Sequence, residues 1–181
     1  MPTWTMADAM TALDPHFDEI DIICRGGLAT YRNYPPEFLV EHDPRAAASC
    51  IYSHMVAHAE RDLTPKAGVV FKDIKGLKVW IVGEIATIRF KKMDEDGRAR
   101  NYPTKQAQDF DKQLALPGIP LPPLNLVVGY LPDATGTQVE RVQVARPMGK
   151  AIDWCAAIAP VEERAAGSAR WYDVTRQVRG L

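Results

Sequence analysis

The stretch from Lys66 to Arg146 most limits the folds open to this chain, because its apolar residues largely recur at every second position. Between Glu84 and Met93, for example, Ala86, Ile88 and Phe90 alternate with other side chains, which is the pattern of a strand with two different faces. Glycine, aspartate and proline separate the alternating runs and favour turns. We therefore predict an antiparallel sheet of about five strands. The predicted strands occupy residues 68–71, 77–83, 84–93, 126–131 and 138–146.

Segments with helical spacing precede and follow the predicted strands in the chain. Asp14-Pro15 and Asp43-Pro44 each combine an N-cap residue with a proline at the first helical position, which predicts two N-terminal helices. Residues 149–165 carry apolar side chains at helical spacing and predict a C-terminal helix. The expected fold class is α+β, with an antiparallel sheet of about five strands on which two N-terminal helices and a C-terminal helix pack.

A length of 181 residues fits a single domain over residues 1–181. We expect a helical part at 1–65, a sheet part at 66–146, and a C-terminal helix with a tail at 147–181. The sheet part contains a short predicted helix at 105–114. Four closely spaced prolines then predict an extended connector.

Composition limits the function classes. A net charge of −1 leaves no global field that would attract nucleic acid or an anionic membrane. The three cysteines, at positions 24, 50 and 155, are widely spaced and predict buried thiols in a reducing compartment. Because we recognise no leader and no membrane-spanning run, we expect a cytoplasmic bacterial protein without a membrane partner.

His54 and His58 are the candidate metal ligands, since they have the spacing of a helical zinc site. The zinc-protease pattern needs a glutamate directly after the first histidine, and this chain has Met55 there. Sequence position indicates no third ligand. We therefore predict no metal site and expect no cofactor.

A metal-dependent nuclease is the enzymatic alternative. Restriction-type nucleases hold magnesium and water with an acid on one strand and a Glu-x-Lys on the next, and Asp73 and Glu84 have a compatible spacing. The residue two positions after Glu84 is Ala86, so the role of the lysine would fall to Lys91. Because we recognise no complete catalytic motif, we expect a binding protein more than an enzyme.

Six basic residues cluster around a predicted hairpin turn at Asp94-Glu95-Asp96-Gly97. Such a cluster can grip a phosphate backbone or another protein. The acidic turn at its centre would repel phosphate, and a solvated hairpin rim explains the same charges. The cluster comprises Arg89, Lys91, Lys92, Arg98, Arg100 and Lys105.

Residues Gln113-Leu114-Ala115-Leu116-Pro117 resemble the linear motif by which bacterial replication proteins bind the β sliding clamp. In that motif a glutamine hydrogen-bonds in a narrow subpocket and leucines fill an apolar groove. By position, Gln113 is the polar anchor, and Leu114 and Leu116 are the apolar anchors. Ile119 would reach the last subpocket. Proline and glycine stand where the family pattern ends in phenylalanine or Pro-Leu.

The same residues also fit the end of a helix. In that interpretation Leu114 is buried beside Phe110, and Pro117-Gly118 stops the helix. The two interpretations differ in whether Leu114 and Leu116 are exposed. An exposed, extended segment would serve as a peptide ligand, whereas a buried one would be structural.

The chain resembles the SocB-type toxins of bacterial toxin–antitoxin pairs in its motif, in its size and in the lack of a catalytic signature. The resemblance implies a protein that docks on the sliding clamp and blocks DNA replication. It also implies a cognate antitoxin that delivers the toxin to a protease. A further alternative is a partner-binding protein of a toxin–antitoxin or phage-defence operon, with the basic hairpin as its contact surface.

Overall fold

The computed structural model describes residues 4–100, 102–119 and 124–176, which form a layer of helices, one sheet and a partial second cover. Most of the helical residues precede the sheet. Short 3-10 turns occupy Asp14–His16 and Val161–Glu163. The described helices are α1 (Met6–Leu13), α2 (Phe17–Arg32), α3 (Pro36–Glu41), α4 (Pro44–Asp62) and α5 (Lys105–Asp111).

Side chains at the helix ends explain where two of the helices begin. Thr5 accepts a hydrogen bond from the Asp8 NH, and the Asp8 carboxylate accepts one from the Thr5 NH, which forms a reciprocal capping box for α1. Asp43 caps α4 by accepting from the Ala46 NH at 2.8 Å. The predicted start of α4 at Pro44 is confirmed, whereas the sequence patterns predict neither α1 nor α3.

Helix α2 continues through Gly26-Gly27, although glycine is unfavourable inside a helix. A Cβ atom at Gly27 would lie 2.4 Å from Met55 Cγ and 3.2 Å from the Ile51 carbonyl oxygen. The glycine therefore allows α2 and α4 to approach closely. This approach builds the two main helices into one layer over the sheet.

The seven described strands follow one another across the sheet in chain order. Neighbouring strands are antiparallel except β3 and β4, which run parallel with Ala86 opposite Leu124. A parallel pair needs a long crossover, and here the crossover contains α5. The strands are β1 (Val69–Ile74), β2 (Leu77–Val82), β3 (Ala86–Lys92), β4 (Leu124–Pro132), β5 (Val139–Met148), β6 (Ala151–Ile158) and β7 (Trp171–Asp173).

The structure is α+β, as predicted, but the predicted arrangement of strands and helices is wrong in two respects. The sheet is mixed and has seven described strands, whereas about five antiparallel strands were expected. Residues 149–165 form β6 and a 3-10 turn where a C-terminal helix was expected. Trp154 and Ile158 face the helices, while Cys155 lies in the opposite core. A strand that is buried on both faces is a continuous apolar run, and its periodicity does not distinguish it from a helix.

The predicted hairpin at residues 94–97 is a turn without a returning strand. The Gly97 NH donates to the Asp94 carbonyl at 3.0 Å, but residues 98–100 have no regular structure. Instead, β3 pairs with β4. Most of the predicted proline-rich connector falls at 120–123 and therefore lies outside the described residues.

The sheet separates two apolar cores. The helix-side core contains large buried side chains, including Trp80, Phe90 and Tyr130, which lie under the helices. The loop-side core, on the other face, is smaller and includes Phe110 of α5 together with residues from the loops. Its buried members are Ile74, Leu77, Val79, Ile81, Met93, Phe110, Leu116, Ile119, Val127, Ala145 and Cys155.

Candidate binding site

The candidate site lies on the loop side of the sheet, where the chain leaves α5. After Asp111 the backbone turns at Gln113, which has a left-handed φ of 59°. The Leu114 NH donates to the Asp109 carbonyl at 2.8 Å and closes the end of the helix. Residues 113–119, which we call the motif segment, then continue without helix or strand.

The Gln113 side chain fastens the motif segment to the sheet. Its Nε2 donates to the Asn125 carbonyl at 2.8 Å and to the Pro147 carbonyl at 2.9 Å. Its Oε1 accepts from the Asn125 NH at 2.9 Å. These partners belong to the start of β4 and the end of β5. The predicted polar anchor is therefore engaged inside the molecule.

The apolar residues of the motif segment divide between core and solvent. Leu116 is 3% exposed and Ile119 is 6% exposed, and both belong to the loop-side core. Leu114 is 49% exposed, and Pro117 is also exposed. The segment is therefore neither a displayed extended peptide nor a helix end with both leucines buried. Of the predicted clamp anchors, Leu114 faces solvent beside Pro117, whereas Gln113, Leu116 and Ile119 are held internally.

The six predicted basic residues do not form one patch, because two of them lie largely within the protein. Arg89 is 6% exposed, and its guanidinium lies 5.3 Å from the centre of the Phe110 ring. Lys91 is partly buried, with its Nζ 5.5 Å from the centre of the Tyr52 ring on α4. Burial, and secondarily the charge of Arg89, lowers the pKa of Lys91 to about 8.

The other four basic residues lie on the surface among acidic side chains. Arg98 lies 3.5 Å from Asp96, and Lys105 pairs with Asp109 one helical turn away. Alternation of the two signs of charge breaks up the predicted phosphate-binding surface. The two remaining members, both exposed, are Lys92 and Arg100.

Beside the motif segment the protein forms a groove with a cavity volume of about 570 Å³, within the range of small-molecule sites. Its walls come from the loop after β3, from α5 and from the turn between β5 and β6. Three cations, Arg98, Lys112 and Lys150, line it, and we call it the cationic groove. The lining carboxylate, Asp111, interacts electrostatically with the buried Arg89, so its negative charge is partly offset.

Two hydrogen bonds connect the cationic groove to the end of α5. The Gly149 NH donates to the Asp111 carbonyl at 2.7 Å, and Gln113 Nε2 donates to the Pro147 carbonyl at 2.9 Å. Pro147 and Gly149 both line the groove. The groove wall and the motif segment therefore share their attachment to the sheet.

The two candidate metal-ligand histidines are engaged in hydrogen bonds. His54 Nε2 lies 2.7 Å from the Tyr34 hydroxyl, and His58 Nε2 lies 3.2 Å from the Thr30 hydroxyl. His58 Nδ1 also lies 2.6 Å from a nitrogen of Arg61. Among the described residues, no group of three or more histidine, cysteine, aspartate or glutamate side chains could hold a metal ion.

The two candidate nuclease carboxylates lie at opposite ends of β2. Asp73 pairs with Lys78 at the start of that strand, and its Oδ1 accepts from the Gly76 NH at 2.7 Å. Glu84 follows the other end, in the turn to β3, with a left-handed φ of 59°. The intervening strand of six residues spans roughly 20 Å at about 3.3 Å per residue. The two carboxylates therefore cannot share a metal ion.

Two of the three thiols also lack the environment of a nucleophile. Cys24 and Cys155 are buried, as predicted, and Cys50 is partly exposed. Burial raises the pKa of both buried thiols, to about 12 for Cys155. These two thiols are therefore protonated at neutral pH.

Comparison with known proteins gives no relative from which a function could be transferred. The chain matches no protein-family model, no curated protein and no solved structure. Across the described ranges, no helix has both the length and the apolar character needed to cross a membrane. The interpretation of the site therefore depends on its own residues.

Sequence reasoning missed the cationic groove. Lys112 and Lys150 are distant in the chain, and the predicted C-terminal helix would have removed Lys150 from any groove wall. The available signal was Gly149, because a glycine between two apolar runs is typical of a hairpin turn. In the structure Gly149 has a left-handed φ of 69° and makes this turn.

Proposed function

We propose that this chain is a non-catalytic binding protein that docks on the bacterial replication sliding clamp through the motif segment. The observation that carries the proposal is the exposed side of this segment, where Leu114 and Pro117 face solvent on a stretch without helix or strand. The sliding clamp is proposed as the partner because residues 113–117 resemble the clamp-binding motif. Docking would block replication, as the likeness to SocB-type toxins implies.

Docking through all anchors of the motif needs Gln113 and Leu116, which also attach the motif segment to the rest of the protein. Gln113 cannot bond to Asn125 and Pro147 while it occupies a clamp subpocket, and Leu116 must leave the core. Breaking the three hydrogen bonds of Gln113 costs about 3 kcal/mol. Exposing the side chains of Leu116 and Ile119 costs about 3–6 kcal/mol. A micromolar interaction supplies about 8 kcal/mol. Docking therefore proceeds through an open form of the segment, and the whole chain binds more weakly than the free peptide.

The test is a calorimetric titration of purified sliding clamp with the whole chain and with a peptide of residues 111–119. We expect a Kd of about micromolar for the peptide, binding by the whole chain that is weaker by about four orders of magnitude or more, and no binding by either form of Gln113→Ala/Leu114→Ala. The proposal is wrong if the peptide does not bind, or if the double variant binds as well as wild type. Whole-chain binding as tight as that of the peptide would also contradict the proposal, because it would leave no cost for opening the segment.

Asn125 allows the segment to be opened without altering the motif. Its Nδ2 donates to the Phe110 carbonyl at 3.2 Å and to the Leu114 carbonyl at 3.5 Å, so Asn125→Ala loosens the segment. We expect this variant to bind the clamp more tightly than wild type. Gln143→Ala is the matched control, because Gln143 is also buried but donates to the Asp94 carbonyl. Equal effects of the two variants would indicate general destabilisation instead of segment release.

A cognate antitoxin is the second partner that we propose, and the likeness to SocB-type toxins is its support. Because an antitoxin of this kind is encoded beside its toxin, the test is expression of the chain together with its neighbouring genes. We expect the product of one neighbour to co-purify and to relieve growth inhibition. Growth inhibition that no neighbouring gene relieves would contradict the antitoxin proposal.

A further inference from the structure

The cationic groove combines an apolar interior with an excess of positive charge. We propose that it binds a small molecule in which an anionic group is attached to an apolar body. This site is separate from clamp docking, and the proposal does not depend on it. The ligand class follows from the two halves of the groove and from the way its walls are fixed.

The apolar half would receive the body of the ligand. Val127, at 3% exposure, contributes a buried aliphatic surface from β4, and Tyr102, at 78% exposure, offers an aromatic ring from the loop. Burying an apolar group against such a surface is favourable in proportion to the area removed from water. The other apolar lining residues are Ala99, Pro103, Ala107, Pro147 and Ile152.

The charged half would receive the anionic group. Within the described residues, neither Lys112 nor Lys150 forms an ion pair. The Arg98 guanidinium lies 3.5 Å from the Asp96 carboxylate, which also pairs with Arg176. Cations on the wall of a concave site concentrate anions, because the low-dielectric walls focus their field. Asp111 does not cancel this field, because its charge also interacts with Arg89 behind the wall. The groove therefore favours a carboxylate, sulfonate or phosphate over a neutral group.

Hydrogen bonds tie two of the three walls together before any ligand binds. The bond from the Gly149 NH to the Asp111 carbonyl, at 2.7 Å, holds the β5–β6 turn against α5. Gln113 adds a second attachment at Pro147, at 2.9 Å. Walls that are already attached to each other lose little conformational freedom on binding, which favours a measurable affinity for a small molecule.

Three probes separate the two halves of the proposal, and calorimetry or protein NMR measures their binding. 1-Naphthyl phosphate carries both an anion and an apolar body, 1-naphthol lacks the anion, and inorganic phosphate lacks the body. We expect 1-naphthyl phosphate to bind at least about tenfold more tightly than either of the others. Equal binding of all three probes, or no binding of 1-naphthyl phosphate, overturns the proposal.

Variants then locate the binding to the groove. Lys150→Gln removes an exposed lining charge, and we expect it to weaken 1-naphthyl phosphate about two- to fivefold and to reduce the salt dependence. Lys75→Gln, at the exposed β1–β2 turn, is the matched control and should have no effect. Ala99→Leu fills the apolar half and should weaken both 1-naphthyl phosphate and 1-naphthol. If Lys150→Gln and Lys75→Gln act alike, the groove is not the binding site.

Discussion

The two faces of the sheet are covered in different ways, and their side chains differ accordingly. The helix side buries Trp80, Phe90 and Tyr130 under helices whose backbone groups bond to one another. The loop side buries the amides of Asn125 and Gln143 under the short helix α5 and under segments without regular structure. A loop that covers a sheet has buried backbone NH and C=O groups, and here side chains of the sheet serve as polar partners for them.

Buried amides provide those partners here. Asn125 donates to the Phe110 and Leu114 carbonyls, and Gln143 donates to the Asp94 carbonyl at 2.7 Å. Each bond fixes a loop at one point, so the loop side has specific attachments and a groove between them. The helix side contributes stability through apolar area, whereas the loop side contributes the surfaces that we assign to binding.

The largest expected effect lies on the helix side. Trp80 is fully buried, its ring packs against Phe71 and Phe90, and its Nε1 donates to the Thr64 hydroxyl at 3.0 Å. We expect Trp80→Ala to lower the free energy of unfolding by about 3–5 kcal/mol in urea denaturation. A loss below about 1 kcal/mol would contradict the view that this face dominates stability.

On the loop side, Gln113→Ala should cost about 1–3 kcal/mol, because it leaves backbone groups of Asn125 and Pro147 without their partner. The loss should be local, so hydrogen exchange should accelerate at residues 113–119 more than in β4. Gln108→Ala is the control, since Gln108 is exposed and its side chain makes one long bond, 3.4 Å, to the Pro103 carbonyl. Uniform acceleration along the chain would argue against a separately opening segment.

Lys91 lies against Tyr52 of α4 on the helix side and also interacts electrostatically with Asp111 of α5 on the loop side. Its lowered pKa predicts that stability depends on pH. Its folded pKa, about 8, is lower than the ordinary lysine value of 10.5, so between these values the unfolded chain binds more protons. Stability from this residue should therefore rise as pH increases from about 8 to about 10.5. Lys91→Met should be more stable than wild type at pH 7, and the difference should shrink toward pH 10. A difference that is independent of pH would contradict this assignment.

The smallest expected effect on stability is at Leu114, which is half exposed. Leu114→Ala should change the free energy of unfolding by less than about 0.5 kcal/mol, whereas Leu116→Ala, from the buried side of the same segment, should cost about 2–5 kcal/mol. In the clamp titration, however, Leu114→Ala should abolish binding. Similar stability losses for the two variants would contradict the division of this segment between core and solvent.

Much of the strand positioning follows from local sequence. The predicted strands at 77–83, 84–93, 126–131 and 138–146 overlap β2 to β5, because alternation and turn residues act over a few positions. Helix α4 is also found where Asp43-Pro44 predicts it. Local chemistry thus accounts for the positions of these strands, but not for the number of strands or for the parallel pair.

What sequence could not predict depends on contacts between distant residues. The helix between β3 and β4 permits a parallel pair but does not require one, and β6 has apolar residues on both faces. The internal role of Gln113 depends on Asn125 and Pro147, which meet it only after the sheet forms. The cationic groove likewise requires three separate parts of the chain to assemble.

The parallel β3–β4 pair has a consequence for folding kinetics. Strands β1 to β3 and β4 to β7 each pair with sequence neighbours, whereas joining the two sets requires closing the long loop that contains α5. Local hairpins form quickly, and non-local pairings form slowly. We therefore expect two half-sheets to form early and to join late. A Cβ at Gly129 would lie 1.7 Å from the Lys91 carbonyl oxygen, so Gly129→Ala should block that final joining step.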